Sequence, residues 1–370
     1  MRCAAALSTH PIPSHATGDV IADLLQRDAR PPELLMVFIT PAFVGAAEDI
    51  RAAIQTVLSP SQLVLAVSSG VIASGSEVTR GAAIGIWACW TDRNESVSMV
   101  HFSEDARGAF RPSQAISAES LVVLLVTPSF GDISGLLEQT GALFPEVTFC
   151  GGLLSEVAGP VQLLDSSGMS RSLLAITFSN TASAHRVGFG SESVSERFNA
   201  TRVIGSMLCA IDGQPALQMA HSVLAGLDRS RQSKVAEDLA VGIIDPQSGD
   251  LREVIRVLGA DSAAGALALA GPVQEDSLFE FHSQDRRSAE SGIGVALGGP
   301  RSHGALLFST EPINSASLND GVGELGRVSE ELGCSEFAGI HVASAIGAAV
   351  GRSRLLAAPL AAAIFGRAHH

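Results

Sequence analysis

Residues 279–292 read FEFHSQDRRSAESG and hold the densest cluster of reactive side chains in the sequence, with His282, Asp285, Arg286 and Arg287 close together. Two chemistries suit them. A histidine near a carboxylate can exchange protons or take a ligand. Two arginines at the start of a helix add charge to N–H groups that already favour anions. A plain structural reading fits equally: Asp285 as the N-cap of a helix beginning at Arg286, with the arginines solvated or bent back onto Glu290. Arg256 joins the candidates because REVIRVLG alternates, setting Ile255 and Val257 on one face and Arg252 and Arg256 on the other. An arginine facing inward would favour a carboxylate.

A second set of candidates lies beside glycines. Cys150 is expected to end a strand just before Gly151 and Gly152, as a nucleophile if a base is near or as a small residue before a tight turn. Ser68, Ser69 and Gly70, and later Ser344, occupy equivalent places, none in a G-x-S-x-G elbow. Three such loops on one side would form a pocket wall. The histidines show no H-x-x-H, H-x-x-x-H or H-E-x-x-H spacing, so no metal site is expected. His185, His282 and His341 fall in strands or at their ends, as core or edge residues, or as the one axial ligand a haem needs. GVGELG at 321–326 matches a dinucleotide fingerprint, but about ten residues separate it from the preceding strand LLFST, which reads as an ordinary helix start.

Composition narrows the rest. The net charge is −14 over 370 residues, which argues against a nucleic-acid surface and against binding to anionic membranes. Lys234 is the one lysine and lacks the glycine-rich lead of a phosphate loop; there is no tyrosine to act as acid or base. The five cysteines are scattered without C-x-x-C, as in a reducing compartment. The apolar run of MRCAAALSTH is too short for a signal peptide, and the runs at 337–350 and 355–365, split by GRSR, are too short to span a membrane. A soluble, cytoplasmic chain is expected.

One pattern occurs three times. LLMVFITPAF, GAAEDIRAAIQTVL, LVLAVSSGVIASG and AAIGIWACW are followed by LVVLLVTPSF, GDISGLLEQTGALF, VTFCGGLLSEVAG and RSLLAITFS, then by GALLFSTEPI, NDGVGELGRVSEELG, FAGIHVASAIGAAVG and PLAAAIFG. Each reads strand, amphipathic helix, strand into a glycine-containing loop, strand. Ile50, Ile54, Val57 and Leu58 share a face in the first helix; Ile133, Leu136, Leu137 and Thr140 in the second; Val322, Leu325, Val328 and Leu332 in the third. Asp132 and Asn319 or Asp320 would cap, and Gly333 would stop the third helix. The strands are near-continuous apolar runs, which predicts burial on both faces. Between the second and third repeats the chain is extended and irregular, followed by a helix capped by Asp212 with Pro215 in its first turn, then strand-like runs at 239–245, 252–259, 265–273 and 277–282. The expected class is α/β, with mixed α+β layers and two related domains, 15–185 and 186–368, each a sheet covered by helices.

With these segments in place, the chain resembles the FIST family from about His15 to Gly366. LVLAVSSGVIASGSEVTRGAAIGIWACW and FCGGLLSEVAG are similar to its N-terminal part; DGQPAL and FHSQDRRSA, the most specific pieces, are similar to its C-terminal part. The departures are local. SESVSERF stands where the family has Cys-Arg-Pro-Ile-Gly, FSTEPINSAS replaces Phe-Ser-Cys-x-Gly-Arg-Gly, and Ala345 in ASAIGAAVG takes the place of an acid. Gln284 replaces an arginine, with Asp285 kept and Arg286 one position later. The resemblance implies a non-enzymatic sensory protein that binds a small molecule, possible as a homo-oligomer, with a signalling partner and an anionic metabolite such as an amino acid as ligand. Its site would take in Arg256, His282, Asp285, Arg286, Ser69, Gly70, Cys150, Gly151, Gly152 and Ser344. The resemblance also raises a haem-binding gas sensor, through His185, His282 or His341, and a degenerate scaffold for protein–protein interaction.

Overall fold

The computed structural model describes residues 1–105, 108–159, 161–246, 249, 251–284, 297, 302–310, 313, 324–349, 352–356 and 360–366. The chain is mixed α/β and divides into two compact units, Met1–Val187 with Leu297–His370, and Gly188–Ala296. The three repeats are real and share one topology, all within the first unit. In the first, strand Leu34–Ile39 runs parallel to Gln62–Val67 and antiparallel to Ile84–Trp90. In the second, Leu121–Val126 is parallel to Thr148–Leu154 and antiparallel to Leu173–Ser179. In the third, Ser302–Ser309 is parallel to Phe337–Ala349 and antiparallel to Leu360–Gly366. Each parallel pair needs a crossover, and a helix supplies it: α2 (Ala47–Leu58), α3 (Ile133–Leu143) and α6 (Glu324–Leu332).

The first repeat, with Arg2–Ser8 at one edge and Leu163–Leu164 at the other, makes a five-stranded sheet. The second and third merge through the antiparallel pairing of Thr148–Leu154 with Phe337–Ala349 into an eleven-stranded sheet. On one face of the small sheet Val37, Leu65 and Ile86 pack with Ile50 and Ile54 of α2 and with Val20 and Leu24 of α1 (Pro13–Arg27). Its other face meets the large sheet, where the Trp87 ring lies 6.4 Å from Phe178 and 5.3 Å from Phe365. On the far side of the large sheet, Val122, Leu124 and Phe149 pack with Leu136 and Leu137 of α3. The first unit is therefore helix, sheet, sheet, helix, which explains the unbroken apolar strands: each is buried from two sides. Leu34–Ile39 and Leu121–Val126 are buried at every residue, and each such side chain contributes about 1.5–3 kcal/mol.

The second unit departs from the expected related domain. Its strands run Glu192–Ile204, Leu278–Ser283, Leu239–Ile244, Leu251–Asp261, Ala266–Leu269 and Met207–Ile211, and the last pairs back with the first to close a six-stranded antiparallel barrel. Phe198, Phe279 and Phe281 meet inside it, with Ala216 and Ala220 of α4 (Ala216–Gly226) and Val235 of α5 (Arg229–Glu237) in the same core. The repeat pattern is absent because every described neighbour is antiparallel and no crossover helix is needed. The compact units also differ from the division at 185/186: the chain leaves the first unit at Val187 and returns to it at Leu297, because the third repeat completes the second repeat's sheet.

Local expectations meet mixed outcomes. Asp132 caps α3 by accepting from Gly135 N at 2.8 Å, and Gly333 closes α6 with φ 63°. Val57 points to solvent, 54% exposed, while Ile50, Ile54 and Leu58 are buried. Asp212 does not cap α4; it sits at φ 46° in a turn, accepting from Asn199 N, and Pro215 is the N-cap. The run at 187–208, read as extended and irregular, contains the thirteen-residue strand Glu192–Ile204. Asn319, Asp320, Val322 and the helix start at Asp285–Arg287 lie outside the described residues. Among the described residues no helix is long and apolar enough to cross a membrane.

Candidate functional site

Ligand crevices in α/β sheets lie beyond the carboxyl ends of parallel strands. In the first unit, two such ends converge. Val67 runs into the turn Ser68–Ser69–Gly70, then into a hairpin of Val71–Ala73 and Ser76–Val78. That hairpin pairs with Ala338, Gly339 and Ile340 of the third repeat, and the next residue, His341, stands opposite Ser309, the last residue of its parallel neighbour.

The backbone locks the two ends together. His341 N donates to Gly70 O at 3.0 Å, and Ser68 Oγ donates to the His341 carbonyl at 2.6 Å. A Cβ on Gly70 would collide with the His341 ring, so glycine is what lets the turn lie on the imidazole. His341 Nε2 is 2.7 Å from Glu77 Oε1, with both side chains nearly inaccessible, 9% and 2% exposed. Glu77 Oε1 also accepts from Ile313 N at 2.9 Å. An ionised carboxylate only accepts, so Nε2 is the donor in this pair. Glu77 thus holds the imidazole in one orientation through Nε2. Ser69, exposed on the same turn, supplies the adjacent hydroxyl.

The structure therefore brings Ser68, Ser69, Gly70 and His341 together and adds Glu77. Glu77 went unremarked in the sequence. Its signal was slight: one acid in a short alternating strand, SEV, between two buried apolar strands. The other first-unit candidates are structural. Cys150 does not end its strand, which continues to Leu154; it is wholly buried, and burial pushes its thiol well above the ordinary range, away from thiolate chemistry. Gly151, at φ 138°, lies so close to the neighbouring strand that a Cβ would strike Leu124 O, and a Cβ on Gly152 would strike Val342. Ser344 lies within Phe337–Ala349 and donates to Leu356 O at 3.1 Å.

In the barrel, alternation puts Phe279 and Phe281 inside and Glu280 and His282 outside. His282 is 4% exposed, its ring resting on Gly242 and its Nδ1 3.0 Å from Ser191 Oγ. Its Nε2 is buried without a hydrogen-bond partner, 3.7 Å from Glu280 Oε2. Burial pushes the imidazole pKa down, against the pull of Glu280. Burial also opposes ionisation of Glu280, but hydrogen bonds from Ser193 and Arg197 outweigh it and hold the carboxyl below its usual value. Arg256 stands opposite Ala240, which is itself opposite His282, so the three form one row on the outer face. Arg256 is exposed rather than turned into the barrel. Asp285 and Arg286 lie outside the described residues.

A haem needs a histidine nitrogen open to an apolar space. His341 gives Nε2 to Glu77. His282 Nε2 lies against Gly242 and faces a carboxylate. His185 Nε2 is buried without a partner, pressed against Gly347 and beside Leu356. None of the three fits an axial ligand.

Residues 33–214 match the family model described as FIST N domain, a span that contains the Ser68–Gly70 turn and Glu77. Two uncharacterized proteins of Mycobacterium tuberculosis, MT0656 of strain CDC 1551 / Oshkosh and Rv0628c of strain H37Rv, are each 24% identical over 375 residues, covering 96% of this chain and 97% of their own. The likeness to these relatives thus runs through both compact units and all three repeats. Residues 33–214 of the chain are a FIST N domain.

Proposed function

We propose that the protein is a non-enzymatic, cytoplasmic sensory protein of FIST type that binds a small molecule at the Ser68–Gly70 turn and passes its occupancy to a signalling partner. The observation that supports this reading is the Glu77–His341 pair. It sets a buried, oriented acid–imidazole unit at the carboxyl ends of two parallel strand pairs, among strands that are largely apolar. Burying a carboxylate costs several kcal/mol of lost solvation, which only well-placed hydrogen bonds offset. A scaffold with no ligand to recognise would do as well with apolar residues there. The non-enzymatic part of the reading rests on the neighbouring nucleophiles: Ser68 spends its hydroxyl on a backbone carbonyl, and Cys150 is buried and held as a thiol.

A thermal-shift screen of small metabolites on the intact protein tests it, with the same screen on H341Q and on R256A. The expected result is at least one compound that raises the melting temperature of the unaltered protein and of R256A but not of H341Q. Stabilisation that persists in H341Q and disappears in R256A would move the site to the barrel's outer face and favour an anion there. No stabilising compound in a broad screen would remove the sensory reading.

A further inference from the structure

The five cysteines look scattered in sequence, but two of them are brought face to face. In the antiparallel pairing of Arg2–Ser8 with Ile84–Trp90, Cys3 stands directly opposite Cys89. The type of pair matters, because cross-strand neighbours alternate between hydrogen-bonded and non-hydrogen-bonded. Thr40 N donates to Ala83 O, and counting along the register from that bond makes Leu34 and Cys89 a hydrogen-bonded pair on the other side of the strand. The carbonyl of Cys89 accepts from Glu33 N at 3.0 Å, one residue off that register but on the same side, pointing away from Cys3. Cys3 and Cys89 are therefore a non-hydrogen-bonded pair, the kind with Cα atoms about 4.5 Å apart and side chains closest. That separation lies inside the range a disulfide spans. Both thiols are free and buried, and their proximity raises the pKa of Cys3 beyond the effect of burial itself.

We propose that Cys3 and Cys89 are a modification site: a cross-strand dithiol that a small peroxide converts to a reversible disulfide. One thiol gives up its proton, its thiolate attacks an oxygen of hydrogen peroxide to give a sulfenic acid, and the departing hydroxide takes that proton to leave as water. The thiol of the other then attacks that sulfur, forming the S–S bond and releasing a second water; two electrons pass from the thiols to the peroxide. Burial makes the first step slow, so reaction follows opening of Arg2–Ser8, which is an edge strand bonded to one neighbour in its sheet. The bond would lock that edge, and α1 packed on it, to the sheet. Its place is separate from the Glu77–His341 site, and the proposal does not depend on the sensory reading.

The test is oxidation of the intact, folded protein by hydrogen peroxide, followed by alkylation and non-reducing peptide mapping. The expected product is one intramolecular link between the peptides of Cys3 and Cys89, removed by dithiothreitol. It should persist in a C150A/C209A/C334A variant and be lost in both C3A and C89A. The oxidised form should also melt at a higher temperature, with the difference erased by reduction. A link to Cys334 instead, or oxidised protein in which Cys3 and Cys89 both remain open to alkylation after unfolding, would overturn the proposal.

Discussion

The parallel pairs Leu34–Ile39 with Gln62–Val67 and Leu121–Val126 with Thr148–Leu154 are the same structural unit, each with a Thr-Pro-x-Phe turn in 3-10 conformation after its first strand. They diverge beyond the second strand. In the second repeat the strand carries its glycines inside the ladder and joins the third repeat, so its end is consumed by sheet continuity. In the first repeat the chain turns at Ser68–Gly70 and places Glu77 against His341. Glycine serves packing in one case and the approach of a turn to an imidazole in the other. Repetition supplies the scaffold; the first repeat joins the third through a hairpin rather than through its parallel strand, and polar side chains gather at the turn before that hairpin.

The comparison can be broken most forcefully at Gly151. An alanine there would strike Leu124 O and hold a strained positive φ, so G151A is expected to lose more than about 4 kcal/mol or fail to fold. Gly75, also at positive φ but with open space around its Cβ position, is the control, and G75A should cost about 1 kcal/mol by urea denaturation. Equal losses would mean that close approach is not what the second repeat needs from glycine.

Removing one partner of the buried pair comes next. E77A leaves His341 without its acceptor and is expected to cost about 3 kcal/mol, most of it recovered in E77Q, which keeps a carbonyl oxygen for Nε2–H. A loss below about 0.5 kcal/mol in E77A would show the pair to be no more than a surface contact.

A loss of similar size should come from acid. Burial, with Arg186 nearby, lowers the His185 pKa to about 4 in the folded chain from an ordinary 6.5. The unfolded chain therefore takes the proton first as pH falls. Stability is full above about pH 6.5 and declines toward pH 4, by roughly 3 kcal/mol from this one group. His282 acts in the same direction. Melting curves of the unaltered protein and of H185F across that window should show a shallower decline in the variant; parallel declines would place the acid sensitivity elsewhere. The smallest expected effects are those of S344A, about 1 kcal/mol for one hydrogen bond to a backbone carbonyl, and S69A, within about 0.5 kcal/mol because the side chain is exposed. A ligand that protects the unaltered protein and not S69A would sharpen the contrast by separating recognition from stability.

Much of the first unit was legible in the sequence because its signals are local. Apolar runs, helical periodicity and the Asp132 cap act over a few residues, and the threefold pattern multiplied them. Four of the barrel's strands were legible, but Glu192–Ile204 and Met207–Ile211 were not, and closure depends on Glu192–Ile204 pairing with two partners, while its polar alternation carries no mark of which neighbours it will choose. The site was half legible. Ser69, Gly70 and His341 were candidates for separate reasons, but what joins them is a pairing between residues 264 positions apart, Glu77 and His341, which no spacing rule reaches. Arg256 was read on the correct face and assigned the wrong environment, because alternation distinguishes two sides of a strand without saying which meets solvent.

The insertion of the barrel between the second and third repeats sets an order on biosynthesis. Thr148–Leu154 emerges from the ribosome with its partner, Phe337–Ala349, still unmade, and the entire barrel must be synthesised before that partner arrives. Throughout that interval the nascent chain presents an apolar, unpaired strand edge, open to capture by a chaperone or by a neighbouring nascent chain. Slowing translation of the barrel should therefore lower the yield of folded protein, while a circular permutant that joins the third repeat directly to the second should be relieved of that delay.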